Sequence, residues 1–146
     1  MDTTPRSLPA PPHPQGNYRP AVATDTLVMS AGMTPRVEGR LAYVGRVGRD
    51  VTVQDASAAA GIAAANAVAA VADVLGSSDE IARALRMTVF VNAGQDFRDH
   101  SMVADGASDR LRELLGDRGA VVRSAVGVSS LPGGACVEVE LTCLRR

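Results

Sequence analysis

The segment from Thr52 to Gly76 constrains the fold of this chain more than any other. Thr52 with Asp55 three residues later predicts a capping-box start, and Gly76 predicts a left-handed stop. Between them, apolar residues recur at the three- and four-residue spacing of one helix face: Ala58, Ile62, Ala65, Ala69, Ala72 and Leu75. The segment therefore predicts a helix of about five to six turns, whose small side chains allow it to lie close against a sheet.

Shorter segments on either side predict strands and a second helix. Both helices can cover only one face of the resulting sheet, which makes the fold class α+β. The predicted order is βββαβαββ. Before the long helix come a hairpin over 18–31, which turns at Thr24-Asp25, and a short third strand around Ala42 to Val47. After it come a central strand from Leu85 to Ala93, a second helix from Phe97 or Ser101 to Leu115, and final strands over 121–129 and 135–143, which are separated by Pro132-Gly133-Gly134.

The chain of 146 residues suits a single domain. Residues 1–16 are rich in proline and have no hydrophobic period, so they predict a flexible arm ahead of a domain over 17–146. The chain has neither a basic start nor an apolar stretch of signal-peptide length, and the apolar stretch at 56–75 contains Asn66 and Asp73. We therefore expect a cytoplasmic protein that does not span a membrane.

Composition excludes several classes of function. All 15 basic residues are arginine, which excludes a lysine Schiff base and a P-loop lysine. A net charge of −1 and 3% aromatic residues argue against nucleic acid as a principal partner. Cys136 and Cys143 are seven residues apart in a predicted strand, so they point to opposite faces and cannot pair within it. Their spacing predicts no metal site, and we expect small buried thiols of a reducing compartment.

Alternation along the final strands separates apolar from polar faces. In the last strand, Glu138 and Glu140 face away from Val137, Val139 and Leu141. In the strand before it, one face carries Arg123, Ala125, Gly127 and Ser129, and the other carries Val122, Val126 and Val128. Because one side of the sheet lacks helices, the small and polar faces predict a subunit interface that contains a pocket.

Several motifs resemble the RidA/YjgF family of enamine and imine deaminases, in the same order over nearly all of residues 15 to 144. The C-terminal signature carries most of the likeness: Arg123-Ser124-Ala125-Val126-Gly127-Val128, then Leu131-Pro132, then Ala135-Cys136-Val137-Glu138-Val139-Glu140. Further matches are Gly16-Asn17-Tyr18, Ser30-Ala31-Gly32 with Pro35, and Thr88-Val89-Phe90-Val91.

The resemblance implies a chorismate-mutase-like homotrimer with a mixed sheet backed by two helices and three ligand clefts between subunits. It also implies a cofactor-independent hydrolase without a metal, which adds water to the C=N bond of a small 2-imino or 2-aminoacrylate-type acid and releases ammonia. By position, Arg123 matches the arginine that binds the carboxylate, Glu138 the glutamate that handles water, and Tyr18 a tyrosine contributed across the interface. Ala31, Gly32 and Ser101 match further ligand-binding positions.

General chemistry is consistent with the first two roles. Arginine binds a carboxylate through two parallel hydrogen bonds, which fixes the orientation of a small substrate. Imine hydrolysis needs a proton delivered to nitrogen and a water held at carbon, and a carboxylate can serve both needs.

Three positions depart from the family pattern, which leaves other functions open. Ala31 stands where the family has a hydroxyl residue before the glycine, and Ala125 stands where it has a cysteine. The family's asparagine in the region of the second helix falls near Ser101. The alternatives are a non-catalytic protein that binds small carboxylates, and a tailoring enzyme of a specialised biosynthetic pathway.

Each candidate residue also has a structural interpretation. Arg123 could form a salt bridge between subunits, Glu138 could pair with an arginine, and Tyr18 could only close the pocket wall. His100 could act as an acid or base, or be a solvated residue at the start of a helix, while His13 among prolines is incidental.

Overall fold

A computed structural model of the chain describes residues 7–146. The strands are β1 Ala21–Ala23, β2 Leu27–Ser30, β3 Arg36–Val37, β4 Arg40–Leu41, β5 Ile81–Asn92, β6 Val122–Val128 and β7 Val137–Arg145, and the helices are α1 Val53–Leu75 and α2 His100–Leu115. Residues 7–16 form neither helix nor strand, and Leu8 packs against the core. Part of the predicted arm, residues 1–6, lies outside the described residues, and its flexibility stays a prediction.

The main sheet has five strands in the order β1-β2-β7-β5-β6. The β5–β6 pair is parallel and the other pairs are antiparallel, so the sheet is mixed. Both helices pack on one face of it, where the side chains of β5 and β7 are fully or almost fully buried: Met87, Val89, Val91, Val137, Val139 and Leu141. The predicted α+β class, with two helices on one face of a mixed sheet, is confirmed.

The region of the predicted third strand differs in detail. A two-stranded hairpin, β3–β4, precedes it and turns at Glu38 and Gly39, which both have positive φ as a type I′ turn requires. The predicted strand over 42–47 makes only isolated bridges, because Gly45 and the following Gly48 adopt positive φ and interrupt extension. Glutamate is uncommon at positive φ, so the turn carried no usual sequence signal.

Helix α1 begins and ends where the sequence predicts. The Thr52 hydroxyl accepts a hydrogen bond of 3.1 Å from the backbone N–H of Asp55, and Gly76 closes the helix with φ of 90°. The helix is long and apolar enough to cross a membrane, but 67% of its apolar window is buried inside the fold. It is therefore the central core helix of the domain.

The two helices approach each other closely at Gly106 of α2. A Cβ atom on Gly106 would lie 1.9 Å from the carbonyl oxygen of Ser57, and one on Gly61 would lie 3.3 Å from the carbonyl oxygen of Gly106. Glycine in a helix normally costs stability. Here it permits a backbone contact that no larger residue allows.

Both cysteines are free and completely buried, as the sequence predicts. Burial raises the pKa of the Cys136 thiol to about 11 and that of the Cys143 thiol to about 12. Both side chains act as small apolar residues in the interior.

Replacing Gly106 with alanine should destabilise the fold, although alanine has the higher helix propensity. The added methyl group meets backbone atoms of α1, and overpacking of this kind costs about 1–3 kcal/mol. Urea unfolding measures the loss. Gly94→Ala is the matched control, since no atom of residues 7–146 lies within 4 Å of its added Cβ. A Gly106→Ala variant as stable as the wild type would contradict the helix contact.

Candidate functional site

Arg123 lies on β6 beneath the first half of α2. Its Nη1 donates to Oδ1 of Asp105 at 2.9 Å and to Oγ of Ser108 at 2.9 Å. Its Nη2 donates to Oγ of Ser101 at 2.8 Å and to the carbonyl oxygen of Ser101 at 3.3 Å. The Arg123 side chain is 19% exposed, so its charge is balanced mainly by oxygens of one helix in its own chain.

The face that carries Arg123 is the helix-covered face, which corrects the sequence expectation. Arg123 pairs with Met87 of β5, and Met87 is buried beneath the helices. The valines of β6 occupy the uncovered face, where Val122 is 62% and Val126 is 42% exposed. Strand alternation was predicted correctly, but alternation alone does not say which face receives the helices.

Asp105 and Ser108 are the partners of Arg123 that sequence reasoning missed. With Ser101 they occupy positions i, i+4 and i+7, which lie on one face of a helix. This polar row borders the buried apolar residues of α2 and was visible in the sequence. Only the packing of α2 over β6 shows that it meets an arginine.

Glu138 lies on the opposite, uncovered face of the sheet. It pairs with Phe90 on β5, whereas Arg123 pairs with Met87 three residues earlier, and an odd separation along a strand reverses the face. Arg123 and Glu138 of one chain therefore face away from each other. A small ligand can contact both only if two chains contribute one residue each.

Gly32 is packed directly against Glu138. A Cβ atom at position 32 would lie 2.6 Å from the Cδ of Glu138, so only glycine leaves room for the carboxylate in this position. Burial raises the pKa of the half-buried Glu138 carboxyl, and the like charge of Glu140 raises it further. The predicted residues Gly32 and Glu138 are thus brought together, and the carboxyl is biased toward holding a proton.

Tyr18 and Ala31 make contacts within their own chain. The Tyr18 hydroxyl accepts a hydrogen bond of 2.9 Å from the backbone N–H of Gln15, and Tyr18 is 45% exposed. The backbone N–H of Ala31 donates to the carbonyl oxygen of Pro20 at 2.8 Å, and its side chain packs against the core. Direct ligand contacts by either residue stay predictions.

His100, the first residue of α2, lies over the same face of β6 as Arg123. Its ring meets Phe97 edge-on with centroids 5.0 Å apart, and its Nε2 lies 2.6 Å from where a Cβ on Gly127 would be. The side chain is half-buried between α2 and β6 rather than solvated. Among residues 7–146, no group of three or more histidine, cysteine, aspartate or glutamate side chains could hold a metal ion.

A separate cavity of about 1080 Å³ lies on the outer side of the helices. Segments of the arm, the β3–β4 hairpin, α1 and α2 line it, and its rim carries Arg36, Glu38, Asp109, Arg110 and Glu113. Arg110 and Glu113 form an ion pair at 2.9 Å, and Arg36 donates to the carbonyl oxygen of Gly39 at 2.8 Å. None of the predicted site residues lines this cavity.

Known proteins resemble the chain over most of its length. The family model described as "YjgF/chorismate mutase-like, putative endoribonuclease" matches residues 4–141. The protein TCP17 of Trypanosoma cruzi is 36% identical over 134 residues, which is 91% of this chain and 84% of that protein.

Two crystal structures show the same fold. The protein Atu1372 of Agrobacterium tumefaciens, described as having unknown function, is 35% identical with a TM-score of 0.87. The match covers 91% of this chain and 85% of the Atu1372 chain. A protein from Shewanella oneidensis, described as a "putative endoribonuclease", is 30% identical with a TM-score of 0.89. The match covers 94% of this chain and 91% of the Shewanella chain.

The Glu138 carboxyl should titrate above the ordinary glutamate range in a carbon-detected NMR titration, because it is desolvated and lies near Glu140. Its folded pKa exceeds its unfolded pKa, so the folded state binds more protons between these values. The contribution of Glu138 to stability therefore falls as the pH rises through that window.

Glu138→Gln should accordingly gain stability relative to the wild type as the pH rises above the ordinary glutamate range. Glu140→Gln is the matched variant and should lower the pKa of Glu138 only partly, since burial is the larger cause. An ordinary glutamate titration at position 138 would contradict the assigned environment.

Proposed function

Because the chain belongs to the YjgF/chorismate-mutase-like family, also called the RidA/YjgF family, we propose that it is a homotrimeric imine and enamine deaminase for a small carboxylic acid. The observation that carries the proposal is the largely buried guanidinium of Arg123, surrounded by hydrogen-bond acceptors of α2. A guanidinium in such a place can exchange two of these oxygens for a ligand carboxylate and hold it in two parallel hydrogen bonds.

The reaction needs no oxidant and no cofactor. Water adds across the C=N bond of a 2-imino acid to give a carbinolamine, which then expels ammonia and leaves a 2-oxo acid. An enamine substrate first takes a proton on carbon and loses one from nitrogen, which gives the imine. Arg123 holds the carboxylate, and Glu138, whose pKa is raised, exchanges a proton with the water or the nitrogen.

The opposite faces of Arg123 and Glu138 support a cleft built from two subunits. The uncovered face of the sheet also carries exposed apolar side chains that suit burial in an oligomer: Val22, Met29, Val122, Val126 and Leu144. The strand register aligns Val22, Met29 and Val122 in one row with Thr142 and Arg86. Because β6 is an edge strand, packing of this face against the β6 edge of a neighbouring copy would bring Glu138 of one subunit toward the Arg123 region of the next.

A second candidate function is binding of small carboxylates without turnover. The bond between Asp105 and Arg123 favours it, because the site is partly satisfied without a ligand. Ala31 and Ala125 also offer no polar side chain to a substrate.

A net charge of −1 and the low aromatic content weigh against RNA as the principal substrate, although some relatives are named endoribonucleases. The proposal also places the protein in the cytoplasm.

Arg123→Ala should lower kcat/KM for hydrolysis of freshly generated 2-iminopropionate on the order of 10²-fold or more, because the substrate loses its carboxylate partner. Release of ammonia and 2-oxopropionate, followed separately, measures the reaction. Arg112→Ala, which replaces an exposed arginine of α2, is the matched control. Equal rates for the wild type and Arg123→Ala would exclude the anchoring role, and saturable binding without release of ammonia would favour the binding protein.

Subunits that carry Arg123→Ala and subunits that carry Glu138→Gln should complement each other when co-expressed. In randomly mixed trimers, roughly a quarter of the clefts receive both natural residues if each cleft joins two chains. Activity should recover to about that fraction of the wild-type activity, while each variant alone stays inactive. Light scattering and mass spectrometry establish the number of subunits and their mixing. Mixed trimers without recovered activity would exclude a shared cleft.

A further inference from the structure

We infer that Asp105 competes with the ligand carboxylate for Arg123 and thereby sets how tightly the site holds small carboxylic acids. The inference rests on the proposed function, because it assumes that Arg123 receives such a ligand. It assigns Asp105 as a specificity-determining residue that acts through the arginine.

The hydrogen bonds around Arg123 place the competition at defined atoms. An incoming carboxylate that binds end-on needs both Nη1 and Nη2. Nη1 is already engaged by Asp105 and Ser108, and Nη2 is engaged by Ser101. Of these partners, Asp105 alone carries a charge. The ligand carboxylate would therefore take the place of the Asp105 carboxylate.

Burial indicates which partner moves. The Asp105 side chain is 63% exposed, whereas the Arg123 side chain is 19% exposed. A carboxylate at such an exposed position regains hydration when it leaves, and ion pairs of this type contribute little to stability. Ser108 and the carbonyl oxygen of Ser101 retain the guanidinium in place, while Asp105 turns toward solvent and the Ser101 hydroxyl releases Nη2. The ligand then replaces Asp105 without a change in the backbone.

The competition also changes the charge that a ligand meets. With Asp105 bound, the Arg123 cluster is close to neutral and exerts little attraction on an anion. Asparagine at position 105 keeps the size of the side chain but leaves one positive charge uncompensated. Affinity for a carboxylate should therefore rise, while affinity for a neutral analogue of the same shape should not change.

The test compares 2-oxopropionate with its neutral analogue 2-oxopropanamide on the full-length protein. Chemical-shift titration measures the dissociation constants for the wild type, Asp105→Asn, Asp105→Glu and Arg123→Ala. Asp105→Asn should bind 2-oxopropionate about three- to tenfold more tightly, with unchanged affinity for the amide. Asp105→Glu should restore weak binding. Asp109→Asn, an exposed aspartate one turn later, is the matched control and should match the wild type.

The outcomes separate this inference from the proposed function. If Arg123→Ala abolishes binding but Asp105→Asn and the wild type bind 2-oxopropionate equally, the competition is excluded and the anchoring role stands. If Arg123→Ala and the wild type bind equally, or if no variant binds, both are overturned. Binding by Asp105→Asn alone would support the competition. A thermal unfolding curve for each variant, with Asp105→Ser as a second replacement, shows that a loss of binding does not come from misfolding.

Discussion

Packing of both helices on a single face of the five-stranded sheet determines where every candidate side chain can act. It places Arg123 under α2 and leaves Glu138 on the face without helices. The contact depends on backbone-to-backbone proximity at Gly106, where the helices are too close for a side chain. A shift in that contact would move the α2 residues that hold the arginine.

The arginine illustrates how a charged group is accommodated at a partly buried position. A guanidinium removed from water needs acceptors for its N–H groups, and α2 supplies them from two serines and an aspartate. The same arrangement fixes the orientation of the guanidinium. In the proposed site, structural stabilisation and ligand binding would draw on the same donors, and the balance between them would depend on one exposed carboxylate.

Much of the fold could be predicted from the sequence, because local signals specify it. The caps at Thr52 and Gly76, helical spacing along α1 and turn residues before the last strand each depend on neighbours in the chain. The β3–β4 hairpin could not be predicted, since its turn places a glutamate at positive φ.

The candidate site was predicted less completely, because it depends on long-range packing. The residue types at 123 and 138 pointed to carboxylate chemistry, and the alternation along their strands was correct. The partners of Arg123 lie 15 to 22 positions away on another element. Which face of β6 they cover follows from the path of the chain between strands, and no local period encodes that path.

The two enclosed thiols give the molecule an internal reporter of its own opening. With a pKa of about 11 at Cys136 and about 12 at Cys143, on the order of one molecule in ten thousand or fewer carries a thiolate at neutral pH. Alkylating reagents attack thiolates, and the folded core also excludes them sterically. The rate of cysteine labelling in this chain therefore records how often the interior is exposed to solvent.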